Sequence, residues 1–177
     1  GFVSYLGPFN KEFHELLTTR DFYGDCVAKG IPVTENMKIS QFLVEDAEVG
    51  EWNIQGLPTD ELSVQNGIMV TRATRYPVLV DPQGQGKTWL MNREAANNLK
   101  VTSLGDRAFR NSLEDCLSFG KPLIIENIEE ELDPVLDPIL EKQHIKKGKS
   151  FIIQLADKEV DYTDTFNLMC TTRLPNP

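Results

Sequence analysis

The sequence predicts an α/β fold, a mostly parallel sheet with helices on both faces in three layers, and three observations predict it. From residue 77 onward, short apolar and β-branched runs alternate with segments of helical period, the order of βαβ units. One run, Leu123-Ile124-Ile125, is apolar at every position, as strands buried on both faces are. Third, another run, Val78–Val80, leads through a glycine-containing turn into a helical pattern opened by Lys87-Thr88. That is the layout of a phosphate-binding loop, in which helix amides face an anion.

The 177 residues suit one unit with a sizeable core, and 40% hydrophobic with 25% charged residues is ordinary globular composition. A formal charge of −9 without an extended basic run disfavours direct nucleic-acid binding, which depends on neutralising phosphates. The apolar runs are too short to span a membrane, and no signal-peptide pattern opens the chain. Cys26, Cys116 and Cys170 are widely spaced and form no C-x-x-C pair, so neither a disulfide framework nor a zinc site is indicated. Cys116 and Cys170 lie in apolar patterns and read as buried thiols of a reducing, cytosolic compartment. His14 and His144 stand alone and read as solvated or capping residues.

In chain order, residues 1–31 read as helix broken at Gly7-Pro8, with Phe9, Phe13, Leu16 and Leu17 on one apolar face, an interruption at Gly24 and an end at Gly30. Ile39, Phe42 and Leu43 fit a short helix, and the acidic stretch 45–51 reads as a solvated face. Residues 52–58 read as a loop pinned to the core by Trp52 and Ile54. Thr59 offers an N-cap to a helix running to about Ala73, with Arg72 suiting its carbonyl end. A strand 77–80 precedes the turn, and the helix after it runs to about Asn97. Residues 99–104 read as strand. Gly105-Asp106 opens a helix carrying Phe109, Leu113, Cys116 and Leu117, which Gly120 stops. Residues 132–143 read as helix, 150–155 and 159–162 as a hairpin, and 166–172 as a last strand.

The turn matches G-x-x-x-x-G-K-[ST] at Gly86, Lys87 and Thr88, with Gly84 inside it. Lys87 would neutralise β/γ-phosphate charge and Thr88 would hold Mg²⁺. The first position, which wants glycine, is Asp81. A P-loop ATPase also needs an apolar strand ending in an acidic pair, one carboxylate for Mg²⁺ and one to orient the attacking water. Here Leu123–Ile125 ends in Glu126-Asn127. Glu126 adds a methylene that a geometry-demanding Mg²⁺ tolerates poorly, and Asn127 cannot accept a proton. Asp81, Glu126 and Asn127 all lower the chance of hydrolysis, while Lys87 and Thr88 leave binding open. An ordinary strand–turn–helix without a ligand is the plain alternative.

Several long stretches resemble a known family: Glu51-Trp-Asn-Ile-Gln-Gly-Leu-Pro-Thr-Asp-Glu-Leu-Ser-Val-Gln-Asn-Gly67, Pro77-Val-Leu-Val-Asp-Pro-Gln-Gly-Gln-Gly86, Leu132-Asp-Pro-Val-Leu-Asp-Pro138 and Thr171-Thr-Arg-Leu-Pro-Asn-Pro177. With the opening Phe2–Phe9, these are similar to the fifth AAA+ module of dynein heavy chains, over essentially the whole chain. The intact Gly86-Lys87-Thr88 favours an axonemal over a cytoplasmic heavy chain.

The resemblance implies a P-loop NTPase fold of AAA+ type. Residues 1–58 would be a helical segment and loop leading in, and residues 59–177 a P-loop large subdomain. The final sheet strand and the helical small subdomain would lie beyond Pro177. It implies a microtubule motor in which this module is non-hydrolysing and structural, relaying change between ring, linker arm and stalk. Gly86, Lys87 and Thr88 match the Walker A motif, Asp81 departing; Glu126 and Asn127 fill an altered Walker B; a sensor-I position falls at Thr171 or Thr172. The implied cofactor is ATP or ADP, with Mg²⁺ at Thr88 and Glu126 only alongside nucleotide, in a pocket either filled or empty.

Implied partners are neighbouring AAA+ modules of the same heavy chain and the linker arm, with microtubules met only through a distant coiled-coil stalk, and neither nucleic acid nor membrane. The implied location is the cytoskeleton of the cytoplasm, in the axoneme of a cilium or flagellum. A module with residual ATPase activity, a P-loop kinase-like enzyme and a nucleotide held as a static brace are the other readings. A strand beyond Pro177 would flank Val78–Val80, so the chain alone is expected to be marginally stable and to self-associate along that edge.

Overall fold

The computed structural model describes residues 10–35, 39–129 and 131–175. The expected Gly7-Pro8 break and the opening Phe2–Phe9 lie outside them, as does the side chain of His14. The chain divides into two compact units, residues 1–50 with 59–73, and residues 51–58 with 74–177.

In the first unit, α1 (Lys11–Glu15) passes through a π-helical segment, Leu16–Phe22, into α2 (Tyr23–Ala28). Asn10 caps it by accepting the Phe13 N–H at 2.9 Å. Gly24 does not interrupt it: the backbone continues in helical conformation, and Gly24 costs propensity without breaking the ladder. The end falls at Gly30, at φ +67°, where Gly30 and Ile31 amides close onto the Val27 and Cys26 carbonyls. The expected apolar face is not buried, since Phe13 and Leu16 are each 38% exposed. Further along come α3 (Ile39–Leu43), α4 (Asp46–Ile54), whose residues from 51 on belong to the second unit, and α5 (Glu61–Arg72). The cap of α5 is Asp60 rather than Thr59, its carboxylate accepting both the amide (3.0 Å) and the hydroxyl (2.6 Å) of Ser63. Those bonds hold the Asp60 carboxyl below its ordinary range. Val64 and Ile68 are buried, and Arg72 in the last turn pairs with Glu48 at 2.8 Å.

The second unit is built on a parallel sheet of β1 (Val78–Val80), β2 (Lys100–Ser103), β3 (Leu123–Glu126) and β7 (Leu168–Thr172), in the order β1-β7-β3-β2. β1 pairs in parallel with β7, Val80 opposite Thr172, and lies at an edge of the sheet. α6 (Gln85–Arg93) follows β1, and a 3₁₀ turn, Ala95–Asn97, replaces the end of the longer helix expected there. α7 (Phe109–Phe119) presents Phe109, Leu113, Cys116 and Leu117 inward, at i, i+4, i+7 and i+8, and stops at left-handed Gly120. The helix expected at 132–143 shrinks to a 3₁₀ turn, Pro134–Leu136, and α8 (Asp137–Leu140), each with a proline among its first two residues. Lys142, at φ +53°, ends that turn early.

The hairpin is present as β5 (Ser150–Leu155) and β6 (Lys158–Tyr162), and a strand the sequence did not announce, β4 (Ile145–Lys147), pairs antiparallel with β5. β4 is exposed at all three positions, so it carries no hydrophobic alternation to betray it. Ile153, Leu155 and Val160 of this second sheet join Leu113, Leu117, Leu123, Ile125 and Leu168 in one core. All three cysteines are free thiols; Cys116 and Cys170 are buried, and burial pushes the Cys170 thiol up to about 11. No helix among the described residues is long and apolar enough to cross a membrane.

Candidate functional site

The end of β1 and the start of α6 are bound together by a turn whose hydrogen bonds can be followed one by one. The Asp81 amide donates to the Thr172 carbonyl at 2.8 Å, continuing the ladder between β1 and β7 by one residue. The Gly84 amide closes onto the Asp81 carbonyl at 3.2 Å, and Gly84 sits at φ +76°, a conformation that glycine enters without the Cβ penalty. Gly84 is also the N-cap of α6, with no side chain to satisfy the first amides. The Thr88 amide and hydroxyl both donate to the Gly84 carbonyl, at 3.1 and 2.8 Å.

Asp81 takes over the missing cap. Its Oδ2 accepts the Lys87 N–H at 2.8 Å. A Cβ at Gly86 would stand 3.0 Å from Leu79 Cδ2 and 3.5 Å from Asp81 Oδ2. The Lys87 ammonium pairs in turn with Glu126 Oε2 at the end of β3; the two side chains are 29% and 28% exposed. Lys87 is therefore held on its backbone donor by one carboxylate and on its side chain by another.

Asn127 follows Glu126 at φ +55°, and its side chain is exposed. The left-handed residue turns the chain so that the Ile128 amide reaches the Thr171 carbonyl at 2.9 Å. Thr171 and Thr172 are 5% and 1% exposed at the end of β7, and Thr172 Oγ1 accepts the Leu174 amide at 3.2 Å. The sheet order thus brings Asp81, Gly84, Gly86, Lys87, Thr88, Glu126, Asn127, Thr171 and Thr172 to the carboxyl ends of neighbouring parallel strands, where α/β sheets bind ligands.

A nucleotide phosphate does not fit this arrangement as it stands. The amide and ammonium that would meet it are occupied by Asp81 and Glu126. The Thr88 hydroxyl is spent on a backbone carbonyl, and Glu126 on Lys87, so neither is turned toward a Mg²⁺ ion. Among the described residues no three His, Cys, Asp or Glu side chains converge on a metal-sized space.

The segment 51–58 supports α6 from another side. Trp52, 2% exposed, meets Trp89 edge-on with centroids 5.9 Å apart, and Asn92 Nδ2 donates to the Gln55 carbonyl at 2.7 Å. The expectation for Trp52 holds; that for Ile54 does not, because Ile54 is 88% exposed. Residues 52–54 continue α4 instead of forming loop, and helical spacing puts Ile54 on a different face from Trp52. Asn53 Oδ1, Gln55 Oε1 and Trp89 Nε1 are shielded from solvent without a hydrogen-bond partner. Trp89 and Asn92, at i and i+3, share one face of α6, and that spacing is the sequence signal for their joint contact with the segment 51–58.

A strand, a turn left-handed at glycine, a Lys-Thr pair opening a helix and a buried strand ending in a carboxylate two strands away define a P-loop NTPase fold. Residues 50–177 match the family described as the ATP-binding dynein motor region, and the chain belongs to that family. It is 72% identical over 176 residues to the dynein gamma chain of the flagellar outer arm of Chlamydomonas reinhardtii. It is 55% identical over 177 residues to human dynein axonemal heavy chain 8. To the dynein-1-beta heavy chain of the Chlamydomonas flagellar inner arm I1 complex it is 42% identical over 177 residues. Each alignment takes in at least 99% of this chain, which spans 4% of the length of each of these relatives.

Proposed function

We propose that the chain is the large subdomain of the fifth AAA+ module of an axonemal dynein heavy chain, and that it works as a non-hydrolysing, structural module. The observation that carries this reading is the double engagement of Lys87, by Asp81 at its amide and by Glu126 at its ammonium. Phosphoryl transfer needs those donors on the γ-phosphate and a free carboxylate to position water. Asn127, the residue after Glu126, has an amide that accepts no proton. What remains is a rigid platform: a buried β3, a turn locked by hydrogen bonds and a helix fixed by its cap.

In a motor of this family such a platform relays conformational change between the ring, the linker arm and the stalk. Its contacts are then the neighbouring AAA+ modules and the linker, microtubules being reached only through the stalk, and its place is the axoneme of a cilium or flagellum. The test is phosphate release by the chain, measured beside Lys87→Ala. Equal, background rates are expected; a rate above that control overturns the reading.

A second reading, favoured by the formed turn and the intact Gly86-Lys87-Thr88, is a nucleotide held without turnover as a brace, with Mg²⁺ entering alongside it. Equilibrium binding of labelled ADP separates it from an empty platform, and binding would raise stability by linkage.

A further inference from the structure

We infer that Asp81 is a built-in competitor for the phosphate cradle, so that a nucleoside di- or triphosphate enters only by displacing the Asp81 and Glu126 carboxylates together. The inference rests on reading this turn as a phosphate cradle. It assigns Asp81 a role beyond the loss of a motif glycine.

The first amides of a helix lack intrahelical partners and favour an anion. In α6 the N-cap is a glycine and supplies none. The anion comes instead from six residues before Lys87: Asp81 Oδ2 lies 2.8 Å from the Lys87 nitrogen. Asp81 thus stands where an anion would meet the start of α6. Glu126, thirty-nine residues later, neutralises the Lys87 ammonium. The three side chains sum to one cation and two carboxylates, a net −1.

An incoming phosphate therefore meets repulsion and no free donor at Lys87. It also meets a rival tethered within the same turn, whose effective concentration is on the order of millimolar or higher. A weak, single anion such as inorganic phosphate loses that competition. A ligand with two linked phosphates, able to take both the amide and the ammonium at once, can win it.

The experiment uses the chain as it stands, with pyrophosphate and Mg-ADP as probes in titration calorimetry. Asp81→Asn keeps an acceptor of the same shape and removes the charge; Asp81→Ala removes both. Binding of both probes is expected to tighten by about tenfold or more in each variant, the range set by deleting a unit charge about 4 Å from the phosphates. Hydrogen exchange at the Lys87 amide supplies a second readout. It is expected to be protected without ligand in the wild type, to lose protection in Asp81→Ala, and to regain it with pyrophosphate. Equal or weaker binding in Asp81→Asn, or Lys87 exchange unchanged in Asp81→Ala, overturns the inference. Turnover above the Lys87→Ala control would overturn the non-hydrolysing reading alone and leave the competition standing, so the two failures are distinguishable.

Discussion

Restoring a glutamate at position 127 is the obvious repair of the altered acidic pair, and the backbone works against it. Asn127 sits at φ +55°, a left-handed conformation that asparagine tolerates and that costs an ordinary L-residue about 1–2 kcal/mol. Asn127→Glu and Asn127→Ala both forfeit that tolerance, while Asn127→Gly removes the penalty. A loss of about 1 kcal/mol lowers the melting temperature of a chain this size by about 2–4 °C. Melting curves of the three variants should therefore fall in the order glycine at or above wild type, then alanine and glutamate together below it. Phosphate release should stay at the Lys87→Ala level in Asn127→Glu, and also when Glu126→Asp is added. Shortening Glu126 loosens its pairing with Lys87, and Asp81 still holds the Lys87 amide. A glutamate variant as stable as wild type beside a destabilised glycine variant would refute the backbone argument. A rescued rate in the double variant would refute the account of where catalysis is lost.

Two further outcomes follow from other parts of the chain. Val78 and Val80 are 55% and 49% exposed on edge strand β1, so self-association is expected at roughly tens of micromolar and Val80→Lys should suppress it. A wild-type chain that sediments as a monomer there would refute the idea. His144 stacks on Tyr162 at 4.0 Å with Nε2 buried and unpartnered. Burial first, then Lys142, lowers its pKa, with Asp164 opposing. The folded state thus binds fewer protons: stability is full above the unfolded value near 6.5 and is lost as pH falls through the depressed one. Melting temperature should drop between pH 7.5 and 5.5 more in wild type than in His144→Gln; parallel curves would count against it.

The sequence by itself determined the local grammar of this protein. Apolar spacing at Phe109, Leu113, Cys116 and Leu117 specifies a helix face, and a fully apolar Leu123–Ile125 specifies a doubly covered strand, because both signals lie within one element. Gly86-Lys87-Thr88 likewise marks the turn, since a helix start and its loop are contiguous in the chain. Elements without an internal signal were not legible: β4 is exposed throughout and exists by pairing with β5, and residues 132–143 lose most of their helix to prolines and a left-handed Lys142. Asp81 and Glu126 were readable as departures from a motif, but what they do was not. That Glu126 meets Lys87 depends on β7 lying between β1 and β3, which sets the carboxyl ends side by side. That Asp81 caps α6 depends on the left-handed Gly84 folding the turn back, so that a side chain from the strand reaches an amide of the helix. Pairings of this kind are fixed by strand order and backbone path, quantities that no window of neighbouring residues contains; only the tertiary structure decided that the cradle's donors are held by its own chain.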